Sequence, residues 1–417
     1  MDKKIVAVVI VVILLVAGIG TYFALGGGSS KYRSDDDTGR LKIYGNADNN
    51  DYLDNDDVKA LEKIINGEMK ETTFADANQD GKVDSKDIDF VKRMVNREKM
   101  TIYYLNNDGI VKTAHYPETT LSALPNTTLA LMKSIGATSM IKAISGGSYD
   151  KTMFGDLLEN AKTISSSMTT LDLDMAIDLG IDCVIVDYSS AYLKDYAKFE
   201  AANIDVVRID AAGGLDSLDW ALTVGYLCGI EKSSQDFVKW SDDVYKDIQK
   251  RISKINKKVT TLAVTMTNSV AGYEGSAYAT SLCAGAINLA DFPTSKKAEI
   301  GDEWILSEKY SSQFIAHTCN YSFATVGDEV QELWDKYKPY FKDTDAYKAG
   351  QYFIFNSNVP NIIRVAYQVE MYYPEVFEDG YATDLVQDWI DKFIPSLKDF
   401  KAGEDGIFLI KASMVKT

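Results

Sequence analysis

Glu231 to Lys258 reads EKSSQDFVKWSDDVYKDIQKRISKINKK and carries no strand pattern. Its apolar residues Phe237, Trp240, Val244, Ile248, Ile252 and Ile255 recur every three or four positions, the period of one helix face. The spacing predicts one long amphipathic helix over 231–258, and the chain on either side must be organised around it. Both flanks have an α/β texture. CVIVDY (183–188) and DVVRID (205–210) precede the helix, and TLAVTM (261–266), QFIAHT (313–318) and QYFIFN (351–356) follow it. Runs that are apolar at nearly every position suit parallel strands covered on both faces. Helical patterns such as TTLALMKSIG (127–136) and DWALTVGYLCGI (219–230) alternate with them, a rhythm that predicts doubly wound α/β units. One helix between two such halves predicts a bilobal body, with an N-terminal lobe over 100–230, a connecting helix over 231–258 and a C-terminal lobe over 259–417. The interlobe cleft outside the strand ends is then where a ligand binds.

The N-terminal part is built differently. Ile5 to Leu25 is an uncharged apolar run long enough to span a hydrocarbon core of about 30 Å. Lys3 and Lys4 before it orient the short N-terminus to the cytoplasm and the remainder outside. Residues 1–25 therefore read as a membrane anchor or as a cleaved signal peptide, and either reading exports the rest. The Gly/Ser-rich and then charged residues 26–40 predict a flexible stalk. Acids outnumber bases 61 to 44, and a net charge of -17 repels phosphate backbones, so nucleic acid is excluded as a partner.

Between stalk and lobes, residues 41–99 contain a repeat offset by 30 residues: NADNNDYLDNDDVKALEKIIN from Asn46 and DANQDGKVDSKDIDFVKRMVN from Asp76. Each copy is an acidic loop followed by an amphipathic helix. Calcium takes six to eight hard oxygens around a tightly turned loop. The second loop offers Asp76, Asn78, Asp80, Asp84 and Asp87 at positions 1, 3, 5, 9 and 12, with Gly81 at position 6 and the Lys82 carbonyl at 7. The first offers Asn46, Asp48, Asn50, Asp54 and Asp57, with the Tyr52 carbonyl, but has Asp51 where glycine would ease a left-handed turn. Two calcium ions are predicted, the second loop holding its ion more tightly. Asp at position 12, with no helix before the loop, resembles type I dockerin modules. That resemblance implies calcium-dependent folding and a cohesin-type partner reading positions 10 and 11. These are Asn55 and Asp56 in one copy and Ser85 and Lys86 in the other.

Five stretches beyond residue 100 are similar, in order, to segments of the helical-backbone class of ABC-importer substrate-binding proteins, which capture ferric siderophores, haem or cobalamin. They are LPNTTLALMKSIGATSMIKAISG (124–146), LDMAIDLGIDCVIVD (173–187), AGAINLA (284–290), IGDEWILSEKYSSQFIAH (300–317) and MYYPEVF (371–377). The resemblance implies an ABC permease as partner, contacted by one surface acid on each lobe, Asp174 and Glu303. Ligand contacts are expected from loops at strand ends facing the cleft: Asn126, Thr127, Ser145, Tyr188, Tyr273, Tyr278, Asn320, Tyr321, Asn356 and Asn358. The chain's 25 tyrosines suit stacking on a planar ligand or phenolate ligation of ferric iron. Relatives often carry Gly-Pro-Arg near the last strand; here Val359-Pro360-Asn361 stands instead, which weighs against a strongly anionic chelate.

Cys183, Cys228, Cys283 and Cys319 are scattered through apolar segments, so they read as buried thiols rather than a zinc site, with a disulfide left open by export. With only His115 and His317, and no nucleophile-elbow, metalloprotease or phosphate-loop motif, a non-enzymatic binding protein is the expectation. The alternatives are a dockerin-bearing cell-surface carbohydrate-active enzyme and an adhesion or scaffold protein.

Overall fold

The connecting segment is helical from Glu231 to Ile252 and stops before Ile255, short of the predicted end at Lys258. After Ile252 the polar residues Ser253, Lys254, Asn256, Lys257 and Lys258 are all exposed, leaving too little apolar surface to hold another turn against the protein. The computed structural model describes residues 39–265, 269–271, 276–290, 297–299 and 301–416. The apolar run 5–25 and most of the stalk lie outside the described residues, and among the described residues no helix is long and apolar enough to cross a membrane.

The N-terminal lobe holds an all-parallel sheet whose strands lie in the spatial order Lys162–Thr163, Ile141–Ile144, Leu121–Leu124, Cys183–Asp187, Asp205–Ile209. Two strands precede it, β1 (Met100–Leu105) and β2 (Val111–Tyr116), and its own are β3 (Leu121–Leu124), β4 (Ile141–Ile144), β5 (Lys162–Thr163), β6 (Cys183–Asp187) and β7 (Asp205–Ile209). All five β6 residues are buried, as its unbroken apolar run requires. The C-terminal lobe holds β8 (Thr260–Thr265), β9 (Ser269–Ala271), β10 (Ile287–Asn288), β11 (Lys297–Glu299), β12 (Phe314–Cys319), β13 (Tyr352–Asn356) and β14 (Leu409–Lys411). Here the doubly wound expectation holds only at the centre. β8, β12 and β13 run parallel, whereas β9, β11 and β14 join antiparallel at the edges. Those edge strands have three residues each, too short for the period of an apolar run to reveal them.

β1 and β2 form an antiparallel hairpin that the apolar pattern alone does not separate from the lobe. Its signal is alternating burial around an Asn-Asp-Gly turn, with Gly109 at φ 70°. The hairpin fastens the acidic-loop module. Tyr44 N donates to the Tyr103 carbonyl at 2.9 Å, and Leu105 N donates to the Lys42 carbonyl at 2.9 Å. Lys42 N donates to Thr223 Oγ1 at 3.1 Å, and Arg40 pairs with both Asp51 and Asp242 of the connecting helix. The module is thus bonded to the body of the protein.

The helix Ser217–Leu227 packs along the start of the connecting helix at Gly225, where an added Cβ would fall inside the Ser234 side chain. This close approach sets the angle at which the N-terminal lobe meets the connecting helix. Gly225→Ala is expected to destabilise the protein by about 1–3 kcal/mol through overpacking. Ser234→Gly in the same chain should recover part of that loss, measured as denaturant midpoints in a double-mutant cycle; additive losses would refute the contact.

Candidate functional site

The two lobes face each other over a narrow interlobe cavity. β3 ends at Leu124 and leads through Pro125 into the helix Asn126–Ser134, which brings Thr127 to the wall. β7 ends at Ile209 and leads to Ala211, Leu215 and Ser217, while the helix Asn361–Tyr372 supplies Asn361 and Arg364 from the other lobe. The cavity offers about 30 Å³ of water-accessible space, room for about one water molecule. The closed arrangement is held by polar contacts across the lobes. Asn361 Nδ2 donates to the Gly214 carbonyl at 2.7 Å and to Ser217 Oγ at 3.2 Å. Asp150 caps the helix Lys151–Asn160 through Met153 N, and its Oδ2 accepts from Ser322 Oγ at 2.8 Å and Phe323 N at 3.0 Å of the opposite lobe.

Arg364 is the unusual group in this cavity. It is 7% exposed, its Nη2 donates to the Ser357 carbonyl, its Nε has no hydrogen-bond partner, and it makes no ion pair among the described residues. Burial lowers its pKa to about 10, because desolvation penalises the charged form and no acid compensates. A guanidinium so placed has donors to offer to an anion or a polarised carbonyl. The sequence pattern showed only the missing arginine of Val359-Pro360-Asn361. Arg364 stands one turn further along the same helix, on the face that Asn361 shares.

Of the ten expected ligand residues, Thr127 and Asn358 line this cavity. Asn320, Tyr321, Asn356 and Asn358 are knitted together at the strand ends of the C-terminal lobe. Asn356 Nδ2 donates to the Tyr321 carbonyl at 3.0 Å, Asn358 Nδ2 to Asn320 Oδ1 at 2.7 Å, and Tyr321 OH to the Phe408 carbonyl at 2.8 Å. Asn126 is half-buried with Nδ2 at 3.5 Å from the Ser148 carbonyl, and Ser145 is fully buried beside Tyr149 OH at 3.0 Å. Tyr188 is half-buried after β6, Tyr278 is buried against Ala263, and Tyr273 lies outside the described residues. Asn361, Ser217, Arg364 and Asp150 have no signal in the sequence, since each acts through a contact from a distant part of the chain. Asp174 and Glu303 are exposed in the first turns of the helices Leu173–Asp178 and Asp302–Ile305.

The acidic loops each lead into an 11-residue helix, Asn55–Ile65 and Ser85–Val95, whose caps are Asp54 and Asp84. Position 12 closes a capping box in both: Asp57 Oδ2 accepts from Asp54 N at 2.8 Å, and Asp87 Oδ2 accepts from Asp84 N at 2.8 Å. Both carboxyls are buried, and burial raises Asp57 to about 7 and pushes Asp87 up as well. Asp48, Asn50, Asn78 and Asp80 accept backbone N–H bonds within their loops. Asp76 takes the Gly81 N–H at 2.9 Å, and Asn46 is buried with its Oδ1 unpartnered. The strain expected at Asp51 does not occur. Its φ is not positive, the left-handed residues being Asn49 and Gln79 at position 4 and Gly81 at position 6, and its carboxylate turns out to Arg40. In neither loop do three carboxylates lie within 4.8 Å of one another among the described residues. All four cysteines are buried free thiols.

The described residues resemble several solved structures over most of those proteins' length. FepB, a TroA-like periplasmic binding protein from Veillonella parvula, matches at a TM-score of 0.59 with 19% identity, over 74% of this chain and 99% of that one. CeuE of Helicobacter pylori, solved as a Ni-His complex, matches at 0.56 with 16% identity, over 72% and 99%. The molybdate-binding protein MolA of Haemophilus influenzae matches at 0.55 with 16% identity, over 70% and 97%. The fold is that of the TroA-like periplasmic binding proteins. No family model and no curated protein matches the sequence.

Proposed function

We propose that this chain is an extracytoplasmic, membrane-tethered solute-binding protein of an ABC importer that captures an anionic metal chelate between its lobes. Arg364 carries this reading, because a buried guanidinium without a counterion, lining the interlobe cavity, is relieved when an anion enters. Periplasmic binding proteins close around their ligands by hinge or shear movement of their lobes. The cross-lobe bonds of Asp150 and Asn361 are the contacts that must open for a bulky ligand to enter. A ferric siderophore or haem fits the guanidinium better than a cobalamin, and MolA, solved with molybdate, and CeuE, solved with Ni-His, support metal-bearing cargo on this fold. The exposed acids Asp174 and Glu303 are the proposed contacts to the permease, and Ile5 to Leu25 the proposed anchor.

A thermal-shift screen with ferric siderophores, haem, cobalamins and oligosaccharides tests the reading, since a true ligand stabilises the native state in proportion to its concentration over Kd. Stabilisation by a ferric chelate is expected, and Arg364→Met should abolish it while raising the melting temperature of the ligand-free protein, a buried unpaired charge having been removed. An oligosaccharide that is turned over would favour the carbohydrate-active alternative. Lysine at both Asp174 and Glu303 should stop uptake in cells and leave the thermal shift intact; undiminished uptake would remove them from the permease contact.

For the acidic loops we propose two calcium ions. Asp57 and Asp87, buried and short of positive charge, and the orphaned Asn46 Oδ1 fit a hard cation in each loop. Asp76, Asp80 and Gly81 make the second loop the tighter site, with more carboxylates and a glycine at the left-handed turn. Because the hairpin and Arg40 bond this module to the lobes, calcium acts as a brace for the whole body. The exposed Asn55, Asp56, Ser85 and Lys86 are the surface left for a cohesin-type partner. Chelation should lower a single melting transition shared by module and lobes, and calorimetric titration should resolve two unequal affinities. A lobe transition indifferent to chelation would make the module an independent handle instead.

A further inference from the structure

A second group of potential ligands lies at the opposite end of the N-terminal sheet from the cavity. β7 runs from Asp205 to Ile209, and the cavity wall follows Ile209, so Asp205 stands at the far edge. β2 crosses this edge with His115, and the chain continues through Pro117 to Glu118. Asp205 Oδ2 accepts from His115 N at 2.6 Å and lies 2.8 Å from His115 Nδ1. Ligand atoms of His115, Glu118 and Asp205 all lie within 4.8 Å of one another.

Glu118 makes this more than a surface cluster. It is 1% exposed, pairs with no lysine or arginine among the described residues, and its carboxyl hydrogen-bonds only within the cluster, with the Asp205 carboxyl and the His115 backbone. The backbone on both sides is fixed, with Glu118 N donating to the Leu227 carbonyl at 2.9 Å and Thr119 N and Thr120 N held by Asp182. The neighbouring base Lys112 is engaged by Glu200. A buried carboxylate beside a second carboxylate, with no cation, is costly.

We propose that His115, Glu118 and Asp205 bind a divalent first-row transition ion of the zinc type. One imidazole and two carboxylates select zinc and its neighbours over calcium or magnesium, which prefer all-oxygen shells. The His115 side chain is 52% exposed, so the fourth position faces solvent and takes water. The ion clips β2 to β7, and since the hairpin carries residues 42–44 on its other edge, it also ties the acidic-loop module to the N-terminal lobe. This site is separate from the interlobe ligand and stands or falls independently of it.

The test is titration of the full chain with zinc in excess calcium, which occupies the acidic loops, and with cobalt for its visible absorption. Wild type should bind one more equivalent of zinc than Glu118→Gln or His115→Gln and show a ligand-field band with cobalt. Each substitution should weaken zinc by at least roughly tenfold and lose the band. Metal-free melting curves establish that each substituted protein is folded, and either one that folds suffices. Equal zinc uptake by wild type and a folded substituted protein overturns the site, as does wild type showing no saturable uptake.

Discussion

Both lobes depend on how the connecting helix is gripped at its first turns. Phe237 and Trp240 present one face to Phe393 of the C-terminal lobe, with ring centroids 5.4 and 5.6 Å away, and Trp240 Nε1 donates to Asp388 at 2.7 Å. On the other face Ser234 meets Gly225 without room for a methyl group. One helix is therefore packed by side chains from both halves within two turns, and further along Ile248 is fully buried and Gln249 Nε2 donates to the Cys283 carbonyl at 2.8 Å. Any change in lobe separation has to be absorbed near this grip or in the cross-lobe bonds of Asp150 and Asn361.

The acidic-loop module uses the same framework. Arg40 reaches Asp242 on the connecting helix, and Gln235 Nε2 lies 3.5 Å from the Asp51 carbonyl. Lys42 lies between Thr223 and the hairpin. The edge of the module is the isolated bridge of Ile43 to Tyr104, which lies beside β1 and ties the module to the hairpin. None of the residues lining the interlobe cavity belongs to the module.

The parts of this fold legible in the sequence were those whose periodicity is long and whose environment is uniform. The connecting helix, β6, β7, β8, β12 and β13 all bury continuous faces, so their apolar spacing named them. The three-residue edge strands are too short to stand out, and the apolar residues of the hairpin do not set it apart from the lobe. The candidate binding residues were less legible for a different reason. Asn356, Asn358 and Tyr321 are polar groups at strand ends, which is where ligands are expected, yet their hydrogen-bonding capacity is largely spent on one another. Arg364 lies in the apolar stretch NIIRVAYQ and reads as a helix residue until the opposite lobe is seen to close over it.

Buried charge in this protein falls into two kinds, paired and unpaired. Lys133, 2% exposed, is satisfied by Asp156 at 2.5 Å, and Glu370, 4% exposed, is satisfied by Lys411 and by Ala382 N. Such pairs close their own electrostatic balance and need nothing from solution. Arg364 and Glu118 have no such partner, and neither is positioned to help the other, one lying between the lobes and the other at the distal edge of the sheet. An uncompensated guanidinium favours an anion and an uncompensated carboxylate beside an imidazole favours a transition cation, so the sign of each orphan charge dictates the class of ligand that would complete it. The same reasoning separates Asp57 and Asp87 from the surface acids around them: both are buried without a base, which is the ground for the calcium ions proposed there.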